Sequence, residues 1–202
     1  MQRENEKVKR LEEALSYWKG HVSVHDMLAC ELAYSLIFDN IRPDKVEEAM
    51  STVGLTALPN RFFLIQVDDY HNYANKLRFT QEFFQKTSLL NLLRDDMAEQ
   101  RIEGFAANQV GQEKMICFFC FPEKSEKETA VFLQAVAESF KKCVRERSPY
   151  TISICISQHC ERLVHYSQMY PKMNVALSRC YFSGKEMSLF LRDAEQQTEQ
   201  PE

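Results

Sequence analysis

The chain has 202 residues, 45% of them hydrophobic and 27% charged, with only five glycines and six prolines. That is about one to one and a half ordinary domains, enough for one sizeable core and too poor in Gly and Pro for a collagenous or low-complexity chain. A formal net charge of −4 excludes a broad basic nucleic-acid surface, and no apolar run approaches the roughly 20 residues that span a bilayer.

The opening residues, MQRENEKVKRLEE, are polar and contain no apolar signal-peptide core. Residues 1–20 are predicted to be helical: Val8, Leu11, Leu15 and Trp18 recur at spacings of three, four and three among charged residues, an a/d seam of two to three heptads that Val22 continues. Two readings stay open, a short coiled coil between copies and a helix packed on its own domain. A second helix is expected over 23–39. Val24, Leu28, Leu32 and Leu36 recur every four residues, and Met27, Ala33 and Ile37 widen the stripe. A short third helix at 44–52 should end near Gly54.

From residue 61 the pattern changes. RFFLIQV reads as a buried strand ended by Asp68-Asp69. Residues 70–101 lack Gly and Pro and predict one or two helices. A strand at 104–110 and another at 115–121 flank a hairpin-like connection, Val110-Gly111-Gln112-Glu113-Lys114. An amphipathic helix is expected over 125–147, with Val131, Phe132, Val136, Phe140 and Val144 apolar. TISICIS alternates polar and apolar residues and predicts a strand with one face on a core. A helix from Tyr170 to Tyr181 would put Pro171 in its first turn, where the missing N–H costs little. Met187 to Leu191 suggests a last short strand, and the polar tail from Arg192 is expected to be mobile. This order of strands and helices implies a mixed sheet with helices on its faces.

The seven cysteines (Cys30, Cys117, Cys120, Cys143, Cys155, Cys160, Cys180) are odd in number, and several lie in apolar runs, as reduced buried thiols in a reducing compartment do. Cys117 and Cys120 form a CxxC within a predicted strand. Positions three apart face opposite sides of a strand, so the pair reads as core thiols rather than metal ligands. No HExxH, GxSxG, P-loop or GxGxxG occurs. His71 and His165 read as surface or half-buried structural residues. The basic cluster Lys141-Lys142-Cys143-Val144-Arg145-Glu146-Arg147 reads as a solvated helix face, and no segment has helix-turn-helix spacing.

Three segments, FFLIQVDDY, NQVGQEKMICFFCF and TISICISQHCERLVHYSQMYPKMNVALSRCYFSGKEMSLF, carry a resemblance in this order. They resemble the nucleotide-cyclase-like GGDEF fold and, more narrowly, the degenerate GGDEF-like middle domain of AraC-type bacterial transcription regulators and related response regulators. The resemblance implies an α/β (α+β) fold, a mixed sheet flanked by helices. It implies a division into an N-terminal signalling helix (1–22), a helical lead-in (23–60), the GGDEF-like domain (61–192) and a polar tail or linker (193–202). In active diguanylate cyclases of this family carboxylates hold magnesium against GTP. Carried over, the first metal carboxylate, opening an Asp-x-Asp pattern, falls on Gln66 with Asp68 closing it. The signature Gly-Gly-Asp-Glu-Phe falls on Gly111-Gln112-Glu113-Lys114-Met115, which places Lys114 at the catalytic Glu. An amide and a cation thus replace two anions, so no catalytic residue, cofactor or metal site is expected. A vestigial pocket, if it binds a nucleotide or small metabolite, would use Gln66, Asp68, Asp69, Gly111 and Lys114. The resemblance further implies a cytoplasmic domain, or the cytoplasmic part of a membrane-anchored regulator. It would relay a signal from an upstream sensor or receiver to a downstream helix-turn-helix domain, probing no DNA itself. Self-association as a homodimer would run through Val8, Leu11, Leu15 and Trp18.

Overall fold

The structure, a computed structural model, describes residues 24–70, 79–109, 113–122 and 125–196. The seam at Val8, Leu11, Leu15 and Trp18, and Gly111 of the hairpin, lie outside the described residues, as does His71. The first described element is helix α1 (Val24–Ile37). A 3-10 turn over Pro43–Lys45 leads directly into helix α2 (Val46–Thr52). Pro43 stands where a helix start has no use for its N–H, and Gly54, at φ 77°, closes the lead-in.

Strand β1 (Arg61–Val67) is followed by helix α3 (Phe79–Glu99). Strands β2 (Gly104–Asn108) and β3 (Lys114–Phe119) come next, then helix α4 (Glu126–Arg147) and strand β4 (Ile152–Ile156). Helix α5 (Leu163–Ser183), strand β5 (Ser188–Phe190) and the short helix α6 (Leu191–Gln196) complete the chain. The five strands form one sheet in the order β2-β3-β1-β4-β5. Only the β4–β5 pair is parallel, so the sheet is mixed, as the alternation of elements implied.

Both faces of the sheet are covered. Phe62 and Leu64 of β1 join Ile116, Phe118 and Cys155 in a core closed by α1, α2 and α5. The alternate residues Phe63 and Ile65 join Cys117, Phe119 and Ile154 beneath α3 and α4. Period-two alternation sends neighbours to opposite faces, and both faces here are apolar, which is why RFFLIQV carries an unbroken hydrophobic run. Aromatic rings bind the strands laterally. Phe118 stacks on Phe62 and on Phe105 at 5.5 and 4.9 Å on one face, and Phe63 meets Phe119 edge-on at 4.7 Å on the other. Each such ring contributes roughly 2–3 kcal/mol of transfer free energy. Cys117 belongs to the α3/α4 core and Cys120 packs against the other, so the CxxC pair is split across the sheet. Burial pushes the Cys120 thiol up to about 11, which keeps it protonated and unreactive.

Several sequence expectations are corrected. Strand β4 is buried at all five positions, because it is central and both faces are covered. Its polar position Ser153 is hydrogen-bonded inside the sheet, not solvated. Helix α5 begins at Leu163, not Tyr170, and Pro171 sits within it. The row Tyr166, Tyr170, Met173 and Leu177 is buried, and Tyr166 donates its hydroxyl to the Pro59 carbonyl; this packing outweighs the one helix bond a proline removes. On α1 the buried face is Ala29, Leu32, Ala33, Leu36 and Ile37, leaving Val24, Met27 and Leu28 exposed. On α4, Val131 and Phe132 are exposed and Leu133 with Ala137 takes their place in the core. Lys141 is buried rather than solvated: its Nζ donates to the Glu186 carbonyl at 3.0 Å and pairs with Glu138 at 2.7 Å. Leu191 opens α6, so the expected tail is helical through Gln196 and the boundary at 192/193 falls inside a helix.

Helices α3 and α4 are joined by a buried carboxyl. Asp96 accepts from Ser139 Oγ at 3.0 Å and from Gln100 Nε2, but burial still raises its pKa. A carboxyl that holds its proton more tightly folded than unfolded favours folding in acid, and that contribution is lost as pH rises through its folded pKa. Asp96→Asn keeps the shape and removes the charge. The variant should match or exceed the native Tm at pH 7 and lose that advantage near pH 4, checked by thermal melts across that range. A variant markedly less stable at pH 7 would contradict this reading.

Candidate functional site

Strand β1 ends where β3 begins. In the β1–β3 register Gln66 lies opposite Lys114, and in the β1–β4 register Gln66 lies opposite Ser153. Residues two apart share a face, so Gln66 follows Phe62 and Leu64, Lys114 precedes Ile116 and Phe118, and Gln109 follows Phe105 and Ala107. Gln109, Lys114, Gln66 and Ser153 thus form one polar row across four strands, at the end of the core beneath α5. Helix α5 supplies its lid. Lys114 Nζ donates to Asn174 Oδ1, and buried Gln109 donates Nε2 to the Tyr170 hydroxyl at 2.7 Å. The side-chain oxygens of Gln66 and Gln109 are buried and accept no hydrogen bond among the described residues. Burial pushes the Lys114 ammonium down from the ordinary lysine range, and Glu113 beside it offsets only part of that.

The acidic strand end has a different task. The Asp68 carboxylate accepts from Ser153 Oγ at 2.7 Å, from Thr151 Oγ1 at 2.8 Å and from the Glu186 backbone N–H at 3.0 Å. Ser153 Oγ also accepts from Met187 N–H at 3.2 Å. Asp69, at φ 51°, pairs with Lys185. The two aspartates pin the 185–187 turn to the sheet and so position β5. Glu186 continues outward: its side chain accepts from Arg145 at 2.9 Å and its carbonyl from Lys141, which ties the strand end to α4. The acidic strand end is therefore an ordered ionic anchor.

Magnesium wants anionic oxygen ligands with room for phosphates and water. Among the described residues the row offers two amides, a hydroxyl and an ammonium; of the carboxylates beside it, Asp68 accepts from three donors and Glu113 lies against the Lys114 cation. This donor set does not fit the ion. It fits polar, uncharged or anionic groups that can accept from Lys114 and donate to the amide oxygens. The N-terminal helix reaches the same region from the other edge. Arg94 pairs with Asp26 of α1 and donates to the Ala106 carbonyl of β2 at 2.8 Å. Cys30 of α1 directs its thiol to the Asn108 carbonyl at 3.8 Å. Phe38 meets Tyr170 edge-on at 5.9 Å. His165, half-buried, has a structural part: its Nδ1 accepts from the Glu161 N–H at 3.1 Å.

Of the residues singled out in the sequence, the structure brings together Gln66 and Lys114 and, through Ser153, Asp68. Asp69 turns away to Lys185. Gln109, Tyr170 and Asn174 were not anticipated. The hairpin position of Gln109 was visible, but nothing in a helical Tyr or Asn shows that it faces a strand 60 residues away.

No protein-family model and no curated protein matches the chain. Solved structures do, among them two diguanylate cyclases. The active GGEEF domain of a diguanylate cyclase from Vibrio cholerae has a TM-score of 0.50 at 13% identity, over 77% of this chain and 94% of that one. Diguanylate cyclase SiaD from Pseudomonas aeruginosa, solved in complex with its activator SiaC, has a TM-score of 0.52 at 16% identity, over 93% of this chain and 69% of that one. The chain therefore has the GGDEF cyclase-like fold, a mixed five-stranded sheet flanked by helices. At these identities the likeness is one of fold. No helix among the described residues is long and apolar enough to cross a membrane.

Proposed function

We propose that this is a non-catalytic regulatory domain on a cyclase-like scaffold, a signal relay within a bacterial transcription regulator of the AraC or response-regulator type. It would couple an upstream sensor or receiver to a downstream DNA-binding domain. The observation that carries the reading is the Gln66–Lys114 pairing, an amide opposite a half-buried ammonium, at the two positions onto which the family resemblance carries the metal carboxylates of a cyclase. A relay also needs the lead-in helix α1, which follows the proposed signalling helix, coupled to the body. The Asp26–Arg94–Ala106 bridge and the Cys30–Asn108 contact support that link, because they join α1 to the strand that enters the hairpin. Signal would pass through a changed dimer arrangement, with Val8, Leu11, Leu15 and Trp18 as the association seam.

Sedimentation equilibrium tests the dimer. The native chain should dimerise, and Leu11→Glu with Leu15→Glu should give a folded monomer. A double variant that still dimerises sinks the seam. A second reading, a ligand sensor at the vestigial site formed by Gln66, Asp68, Asp69, Gly111 and Lys114, draws support from the unpartnered amide oxygens beside the Lys114 cation. It requires the ligand to satisfy those atoms.

A further inference from the structure

At the opposite end of the sheet, where β1 begins and β3, β4 and β5 end, lies a cleft of about 1040 Å3. It runs between the first two turns of α4, the segment 156–161 and the start of α6. Arg61, the first residue of β1, faces it from the α4 side of the sheet. The residue is half-buried, yet among the described residues its guanidinium donates a single hydrogen bond, from Nη1 to the Asn60 carbonyl at 3.2 Å. Among the described residues it forms no ion pair. The nearby Glu126 carboxylate is held instead by Arg192 across the mouth. Burial without a bound counterion draws the Arg61 pKa down. An arginine carries five N–H donors in a planar fork that matches an oxyanion in two-pronged fashion. Most of that fork is uncommitted here.

The rest of the lining narrows the ligand. Phe121, Pro122, Ala130 and Phe190, each with exposed surface, give the cleft an apolar wall over the buried Leu133, Ile156 and Leu191. Among the described residues its charges are two cations, Arg61 and Arg192, against three carboxylates, Glu126, Glu161 and Asp193. A polyphosphate would meet those carboxylates as well as the arginines. A single carboxylate can sit on Arg61 with its organic body against the wall, the usual division between a few orienting polar groups and an apolar pocket.

The geometry points to a second ligand site at this cleft, taking a small organic carboxylate with an apolar body, its carboxylate on the Arg61 fork. The site is independent of the row at Gln66 and Lys114 and of the function proposed above. Phenylacetate is a suitable probe, with phenylacetamide as its neutral counterpart and GTP as the polyanion, each titrated into the full chain and followed by backbone amide NMR. Phenylacetate should give saturable shifts at Thr129, Phe190 and residues 158–161, and none at Gln66 or Lys114. Phenylacetamide, GTP and the Arg61→Gln variant should each bind at least tenfold more weakly, and Arg61→Lys, which keeps the charge without the fork, should fall between. The amide comparison uses the native chain, so it decides the matter even where Arg61→Gln does not fold. No saturation with phenylacetate by about 10 mM, weaker than a free energy of roughly 3 kcal/mol would give, overturns the proposal. So does equal binding of phenylacetamide, or shifts centred on Lys114.

Discussion

Replacing Asp68 by alanine is expected to lower stability by about 3–5 kcal/mol, because three donors lose a charged acceptor together. Ser153 and the 186 backbone lie against the sheet, where water does not readily replace the lost bonds. The turn that carries β5 would detach from β4, and with it the Lys141 and Arg145 contacts to Glu186. For a chain of this size the change corresponds to a fall in Tm of about 10 °C. Denaturant melts of the native chain and Asp68→Ala measure it directly. A loss below about 1 kcal/mol would mean that the carboxylate is dispensable to the fold and free for another partner, against the anchor described here.

Gly104→Ala is the second large effect. Gly104 opens β2 opposite Phe119, and a Cβ built there would stand 2.1 Å from the Phe118 carbonyl oxygen and 3.0 Å from Met97 Cε. The methionine tip can swing aside; the backbone carbonyl cannot move without disturbing the β3 ladder. Forcing it costs on the order of 3 kcal/mol and loosens the strand that Arg94 and Cys30 tie to α1. The requirement is close approach and not an unusual dihedral, unlike Gly54. Thermal melts should show Gly104→Ala well below the native chain, and a native-like Tm would show that the strands separate easily at this edge.

The sheet was legible because its strands carry their own signals. RFFLIQV and KMICFF are short apolar runs bounded by polar residues, and a mixed sheet follows from the order of elements around them. Pro171 misled because its local cost is visible in the sequence while the buried row Tyr166, Tyr170, Met173 and Leu177 on the same helix is only a pattern of spacings. Lys141 misled for a related reason. A lysine in a basic cluster looks solvated, and its acceptor, the Glu186 carbonyl, is a backbone atom that no side-chain pattern reveals. Asp68 and Asp69 were visible as an acidic strand end. Their partners, Thr151, Ser153 and Glu186 for Asp68 and Lys185 for Asp69, lie far along the chain, so the anchor appears only once β4 and β5 are placed. The Arg61 cleft left no trace, since it is assembled from the ends of four strands and two helices and Arg61 alone looks like an ordinary strand-opening residue.

The proposal that this cyclase-like fold carries no cyclase chemistry is open to a direct assay. The native chain is incubated with GTP and magnesium, product is followed by chromatography, and Tm is recorded in the same mixtures. The account predicts no product above the buffer control and no magnesium-dependent rise in Tm, because Gln66 and Lys114 offer the ion no carboxylate. A GTP-dependent rise in Tm without product would favour the ligand-sensing reading of the polar row over the pure relay. Steady formation of product that depends on magnesium would contradict the account.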